Sequence, residues 1–175
     1  MKTEKIKRVR LSAFLLFLFL IVGCENPFAP GHYTDPEGGS GVLSDLTTPD
    51  GVFINLKYAY TFKDTSIYSA LIKDDFIFTF RDYDLGADVT WGREEELRTT
   101  YGLFSNSERL DLVWNNIVLS SGDSTKMNIV RSFNLTITFN PNDIIRINGR
   151  VNLDLQKNAT TKRWQIARWI DESNL

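Results

Sequence analysis

Apolar side chains at Val52, Phe53, Leu56, Ala59 and Tyr60 recur at spacings of three and four, which places one apolar stripe along a helix over residues 49–62. Thr48-Pro49-Asp50 supplies its start, with Thr as N-cap, Pro at the first helical position and an acid in the first turn. Asp64 or Thr65 caps a second short helix that buries Ile67, Tyr68, Leu71 and Ile72 and ends at Asp74-Asp75. Phe76-Ile-Phe-Thr-Phe80 alternates as a short strand, and the polar, glycine-containing stretch 81–92 reads as a loop. A third helix is expected from Arg93 to Phe104, with Leu97, Tyr101 and Phe104 on one face. Its acids Glu94, Glu95 and Glu96 stand at the N-terminal end, where the helix dipole favours them, and read as a solvated run because adjacent helical residues point apart.

From Arg109 the period changes to two. Leu110, Leu112 and Trp114 alternate with polar residues, and Ile117 and Leu119 continue in the other phase, so a bulge is expected near Asn115-Asn116. Turns at 121–124 and 140–143 separate two long strands. Met127, Ile129, Arg131, Phe133, Leu135, Ile137 and Phe139 share one face of the first; Ile145, Ile147, Gly149, Val151, Leu153 and Leu155 line the second. Gly149 in mid-strand permits a bend. A last strand over 162–170 puts Trp164, Ile166, Arg168 and Ile170 in one phase. Helix, helix, strand, helix and four antiparallel strands make an α+β plan, with helices packed on one face of a bent sheet.

The N-terminus has a different character. Five basic residues fall within positions 2–10, an apolar run from Leu11 to Val22 follows, and Ile21-Val22-Gly23-Cys24 closes it. That order is the one expected of a secretory signal, too short for a spanning helix. The segment resembles a bacterial lipoprotein leader with its lipobox, which implies cleavage between Gly23 and Cys24 and acylation of Cys24, the chain's single cysteine. Two kinds of acyl group on one residue suffice for stable anchoring to membrane lipid. Glu25, where inner-membrane retention would favour Asp, points to the outer membrane of a bacterial cell envelope. Residues 24–47 read as a lipidated cysteine and a flexible Pro-, Gly- and Ser-rich tether with a reach of about 25–30 Å. Its His32, the only histidine, reads as a solvated linker residue, so the folded part lacks the usual neutral-pH base. The folded domain is assigned to 48–175.

Charge narrows the partners. The 175-residue chain carries a formal −2, but the leader holds five of the 20 basic residues and one of the 22 acidic ones, so the remainder stands at −6. An acidic body without a basic stripe excludes nucleic acid as an expected partner. No metal-ligand spacing, phosphate loop or nucleophile elbow is present, and no cofactor is expected.

The opening helix, Asp74-Asp75-Phe76-Ile-Phe and the closing Lys162-Arg-Trp-Gln-Ile-Ala-Arg-Trp-Ile-Asp171 resemble the NTF2-like superfamily, SnoaL-like proteins included, over residues 48–171. The resemblance implies three N-terminal helices packed in a strongly curved antiparallel sheet, forming a cone with a pocket at its open end. It licenses no activity, because that fold hosts many. Arg131 and Arg168 fall in phase with core residues. Either they meet a carboxylate or an anionic ligand in the cone, together with Tyr60, Tyr101 and Trp164, or they pair outside it with Asp154, Asp171 or a glutamate of the third helix, or a bulge turns them outward. Two functions follow. One is a ligand-binding or assembly module that takes a small apolar or anionic molecule, or forms a homodimer through the sheet face. The other is a lyase or isomerase using a buried carboxylate with Tyr60, Tyr68 or Tyr101 as hydrogen-bond donor. Its candidate acids Asp82, Asp84 and Asp88 stand in a polar loop. A carboxylate inside the cone within hydrogen-bond reach of a tyrosine separates the two.

Overall fold

The computed structural model describes residues 43–173, all within one compact unit. The leader, Gly23, Cys24, His32 and the tether up to residue 42 lie outside the described residues. Helix α1 (Pro49–Phe62) starts as its sequence dictates: Thr48 accepts from the Gly51 amide at 3.3 Å, and Val52, Phe53, Leu56 and Ala59 are buried. It stops at Lys63, whose left-handed φ of 54° turns the chain while its N–H bonds back to the last carbonyls. Asp64 then caps α2 (Thr65–Leu71), accepting from the amides of Ser66 and Ile67 at 2.9 and 3.0 Å.

The chain continues through β1 (Ile72–Asp82), β2 (Ala87–Gly92), α3 (Arg93–Asn106), β3 (Arg109–Gly122), β4 (Lys126–Asn140), β5 (Asp143–Lys157) and β6 (Trp164–Asp171). Two boundaries differ from the expectation. Asp74-Asp75 lies inside β1, not at a helix end, because the strand begins directly after α2. The expected loop at 81–92 contains β2, which pairs antiparallel with β1 after a turn at Gly86, whose φ of 64° suits glycine. Only Val89 and Trp91 mark that strand in the sequence, too few for a visible alternation.

The six strands form one curved sheet in the order β2-β1-β6-β5-β4-β3. Neighbours are antiparallel except β1 and β6, which run parallel, so the sheet is mixed and not wholly antiparallel. The bulge expected near Asn115-Asn116 is present: Trp114 faces Phe133, and the next pair is Ile117 with Arg131. A second bulge was hidden. Leu155 faces Ile166 and Asp154 faces Arg168, so Ala167 is an extra residue that flips the phase of β6. Trp164 and Ile166 point into the core, Trp169 follows them in, and Arg168 turns outward.

Helix α1 packs on β3 and β6, and α3 packs on β1 and β2. Leu153, Leu155 and Ile166 are fully buried, and each contributes roughly 1.5–3 kcal/mol relative to exposure. Residues 43–47, expected in the tether, belong to the fold. Leu46 is buried, its carbonyl accepts from the Trp164 amide, and Ser44 exchanges two hydrogen bonds with buried Asn55. Gly149 serves a close approach: a Cβ there would stand 2.4 Å from Cα of Ser173, where the chain after β6 crosses β5.

Candidate functional site

The concave side of the sheet and α3 enclose a cavity of about 310 Å³, within the range of small-molecule sites. One wall comes from β1, β2 and β6. Phe76, Phe78 and Phe80 share the inner face of β1; Phe76 is core, and Phe78 stacks on Trp91 with ring centroids 4.5 Å apart, 14° from parallel. Trp169 approaches Phe78 at 6.0 Å. The opposite wall holds Trp114 and Phe133, whose rings meet edge to face at 6.2 Å. Trp114 is held from behind: its indole N–H donates to the Phe53 carbonyl at 2.9 Å.

The polar part of the lining is small and acidic. Glu96 is buried, against the solvated reading of the Glu94–Glu96 run; Glu94 and Glu95 are exposed as expected. Helical spacing explains the split, since Glu96 shares the inner face of α3 with Thr100 and Phe104. Oε1 of Glu96 accepts from the hydroxyls of Tyr68 at 2.5 Å and Thr100 at 3.1 Å, and Oε2 accepts from Trp91 Nε1 at 2.7 Å. Burial, then the charges of Tyr60 and Glu96, lift the Tyr68 hydroxyl well above its ordinary range. Asp171, at the end of β6, also lines the cavity and accepts from the amide and hydroxyl of Ser173 at 3.0 and 2.9 Å. Burial raises its carboxyl above the usual carboxylate value, the two Ser173 bonds oppose that rise, and the neighbouring charges of Glu172 and Glu96 add to it.

The residues singled out in the sequence are dispersed. Tyr60 lines the cavity, its hydroxyl raised by burial and then by Glu96 and Asp171. Tyr101 does not; its hydroxyl donates to the Thr65 carbonyl beside a shallow outer depression. Trp164 is core, with Lys157 Nζ 5.6 Å from its ring. Arg168 pairs with Asp154 at 2.8 Å on the outer side. Arg131 donates to the Asn115 carbonyl and lies 5.2 Å from the Phe53 ring centre, outside the cavity lining. Asp82 accepts from the Leu85 amide in the exposed turn, Asp88 pairs with Arg81, and Asp84 is exposed. None of these three acids lines the cavity. Among the described residues no cluster of His, Cys, Asp or Glu could hold a metal ion, and no helix is long and apolar enough to cross a membrane.

No protein-family model and no curated protein matches the sequence. Solved structures do match the fold. A conserved protein from Planctomyces limnophilus is similar at TM-score 0.62 and 14% identity over 71% of this chain and 92% of that one. A candidate dehydratase of the NTF2-like family from Streptomyces avermitilis gives 0.59 and 13% over 75% and 96%. LinA gives 0.57 and 14% over 71% and 82%. With its three helices against a curved six-stranded sheet, the described part of the chain has an NTF2-like fold.

Proposed function

We propose that this domain binds a small, predominantly apolar molecule inside the cone, while lipid on Cys24 holds the protein at a bacterial envelope membrane, the outer membrane by the Glu25 cue. The observation that carries the binding reading is the cavity itself. Seven aromatic side chains wall a space large enough for a ring-sized ligand, and its polar groups are few and fixed. Cavity-lining aromatic area that contacts solvent is unfavourable, and an apolar guest removes it from water. Thr99 stands exposed on α3 at the lining, so Thr99→Trp fills the space from the solvent side without disturbing buried packing. Calorimetric titration with 2-phenylethanol should show binding to the wild type and none to Thr99→Trp with its thermal transition preserved. Equal heats from both proteins would remove the cavity from the reading. Membrane attachment rests on the leader's charge, apolar run and lipobox. Cys24→Ser should abolish the acyl mass and release the protein from the membrane fraction, and retention with unchanged mass contradicts lipidation.

One observation favours a second reading, lyase or isomerase chemistry. A buried carboxylate, Glu96, stands within hydrogen-bond reach of a tyrosine inside the cone, and burial raises the proton affinity of Asp171, the other acid of the lining, in the direction that general-base chemistry requires. Glu96 is buried under three donors, whereas Asp171 is only partly buried and its hydrogen bonds come from the adjacent Ser173 alone, so in this reading Asp171 is the base and Tyr60 the donor. Turnover of any bound compound that Asp171→Asn abolishes without weakening binding would establish this chemistry.

A further inference from the structure

The cavity's charge inventory narrows the ligand further. Glu96 and Asp171 both line it, and no lysine or arginine does. None of the ion pairs among the described residues includes either carboxylate. The two acids sense each other: Glu96 is among the charges that raise Asp171, and both raise Tyr60. Two carboxylates in a largely apolar space without a counter-cation are an unfavourable arrangement, and an anionic guest would worsen it.

The walls have a matching preference. Phe78, Trp91 and Trp169 line one side and Trp114 the other, and aromatic faces attract cations through their quadrupoles. Trp169 also holds a buried indole N–H that has no acceptor among the described residues. Resting on the binding reading above, we propose that the cavity takes an organic ammonium ion with an apolar or aromatic body, its charge beside Glu96 and Asp171 and its body against the Phe78, Trp91 and Trp169 wall. The anion expected from Arg131 and Arg168 is thereby replaced, because both arginines are engaged outside the lining.

The test is a charge series of nearly constant shape: 2-phenylethylammonium, 2-phenylethanol and phenylacetate, titrated by calorimetry into the whole chain in neutral detergent micelles, with empty micelles as the blank. The cation should bind at least about tenfold more tightly than the alcohol, with the anion weakest. Asp171→Asn should reduce the cation's advantage several-fold, as should Glu96→Gln if it folds by circular dichroism. Glu95→Gln, on the exposed side of the same helix, should leave the ratio unchanged. Equal binding of alcohol and cation, or a cation preference that Asp171→Asn leaves intact, overturns the ammonium proposal while the cavity reading stands. Binding of none of the three overturns both.

Discussion

Replacing Tyr68 with phenylalanine removes one hydroxyl that holds Glu96 behind the cavity lining and nothing else. Tyr68 is fully buried, and its ring packs at 6.1 Å from Tyr60 and 5.9 Å from Phe104, contacts that phenylalanine keeps. What goes is the 2.5 Å bond to Glu96. A hydrogen bond to a charged group contributes about 1.5–3 kcal/mol. Thr100 and Trp91 still donate to the two carboxylate oxygens, so neither is orphaned and the lower half of that range, about 1.5–2 kcal/mol, is expected. Urea unfolding followed by tryptophan fluorescence should move to a lower midpoint with an unchanged slope. Glu96→Gln keeps the Trp91 bond only with its amide oxygen toward the indole, which turns its amide nitrogen toward Tyr68 and Thr100 and makes both hydroxyls acceptors where they were donors. A double cycle of Tyr68→Phe with Thr100→Val should be non-additive, because both hydroxyls share Oε1. A loss below about 0.5 kcal/mol for Tyr68→Phe would refute the account of Glu96 as a carboxylate held by this network.

Gly149→Ala should destabilise by about 1–3 kcal/mol, because the added carbon collides with Ser173 backbone where a flexible side chain cannot yield; an unchanged urea midpoint would place that crossing wrongly. In the folded protein Asp171 takes up its proton at higher pH than in the unfolded chain, so the native state binds more protons in that window and this group's contribution to stability rises as pH falls through it. Asp171→Asn should therefore stabilise most at neutral pH, with the gain fading as pH falls and gone by about pH 4, and urea midpoints across pH that show the opposite trend refute the burial argument. The homodimer through the sheet face, if it runs along the β3 edge, would cover Val113, Ile117, Val118 and Leu119, all exposed. Sedimentation equilibrium should then give a dimer that Val118→Lys separates, and a monomeric wild type removes that pairing.

The elements were legible where their signals are local. Thr48-Pro49-Asp50 and Asp64 announce caps that the structure uses, and the alternation of β3, β4 and β5 predicts their faces. The site was less legible because it depends on pairing. Arg168 keeps step with Trp164 and Ile166 in the sequence, and only the register with β5 reveals the extra residue that turns it outward. Glu96 looks like part of a charged run until β1 and β2 close over one side of α3; its spacing of four from Thr100 and eight from Phe104 was the available clue. Trp91 sat in a stretch whose glycines and acids read as loop, and its stacking on Phe78 arises from the β1–β2 register. Leu46 was hidden by its polar neighbours, although the chain around it is tied to Asn55 and Trp164.

The four tryptophans offer a direct test of the cavity. Trp91, Trp114 and Trp169 line it, and Trp164 is buried elsewhere in the core. In nitrogen-15 spectra of the indole N–H groups, saturating 2-phenylethanol should displace the first three signals and leave Trp164 in place. Four unmoved signals, or a Trp164 shift as large as the others, would contradict a ligand site inside the cone.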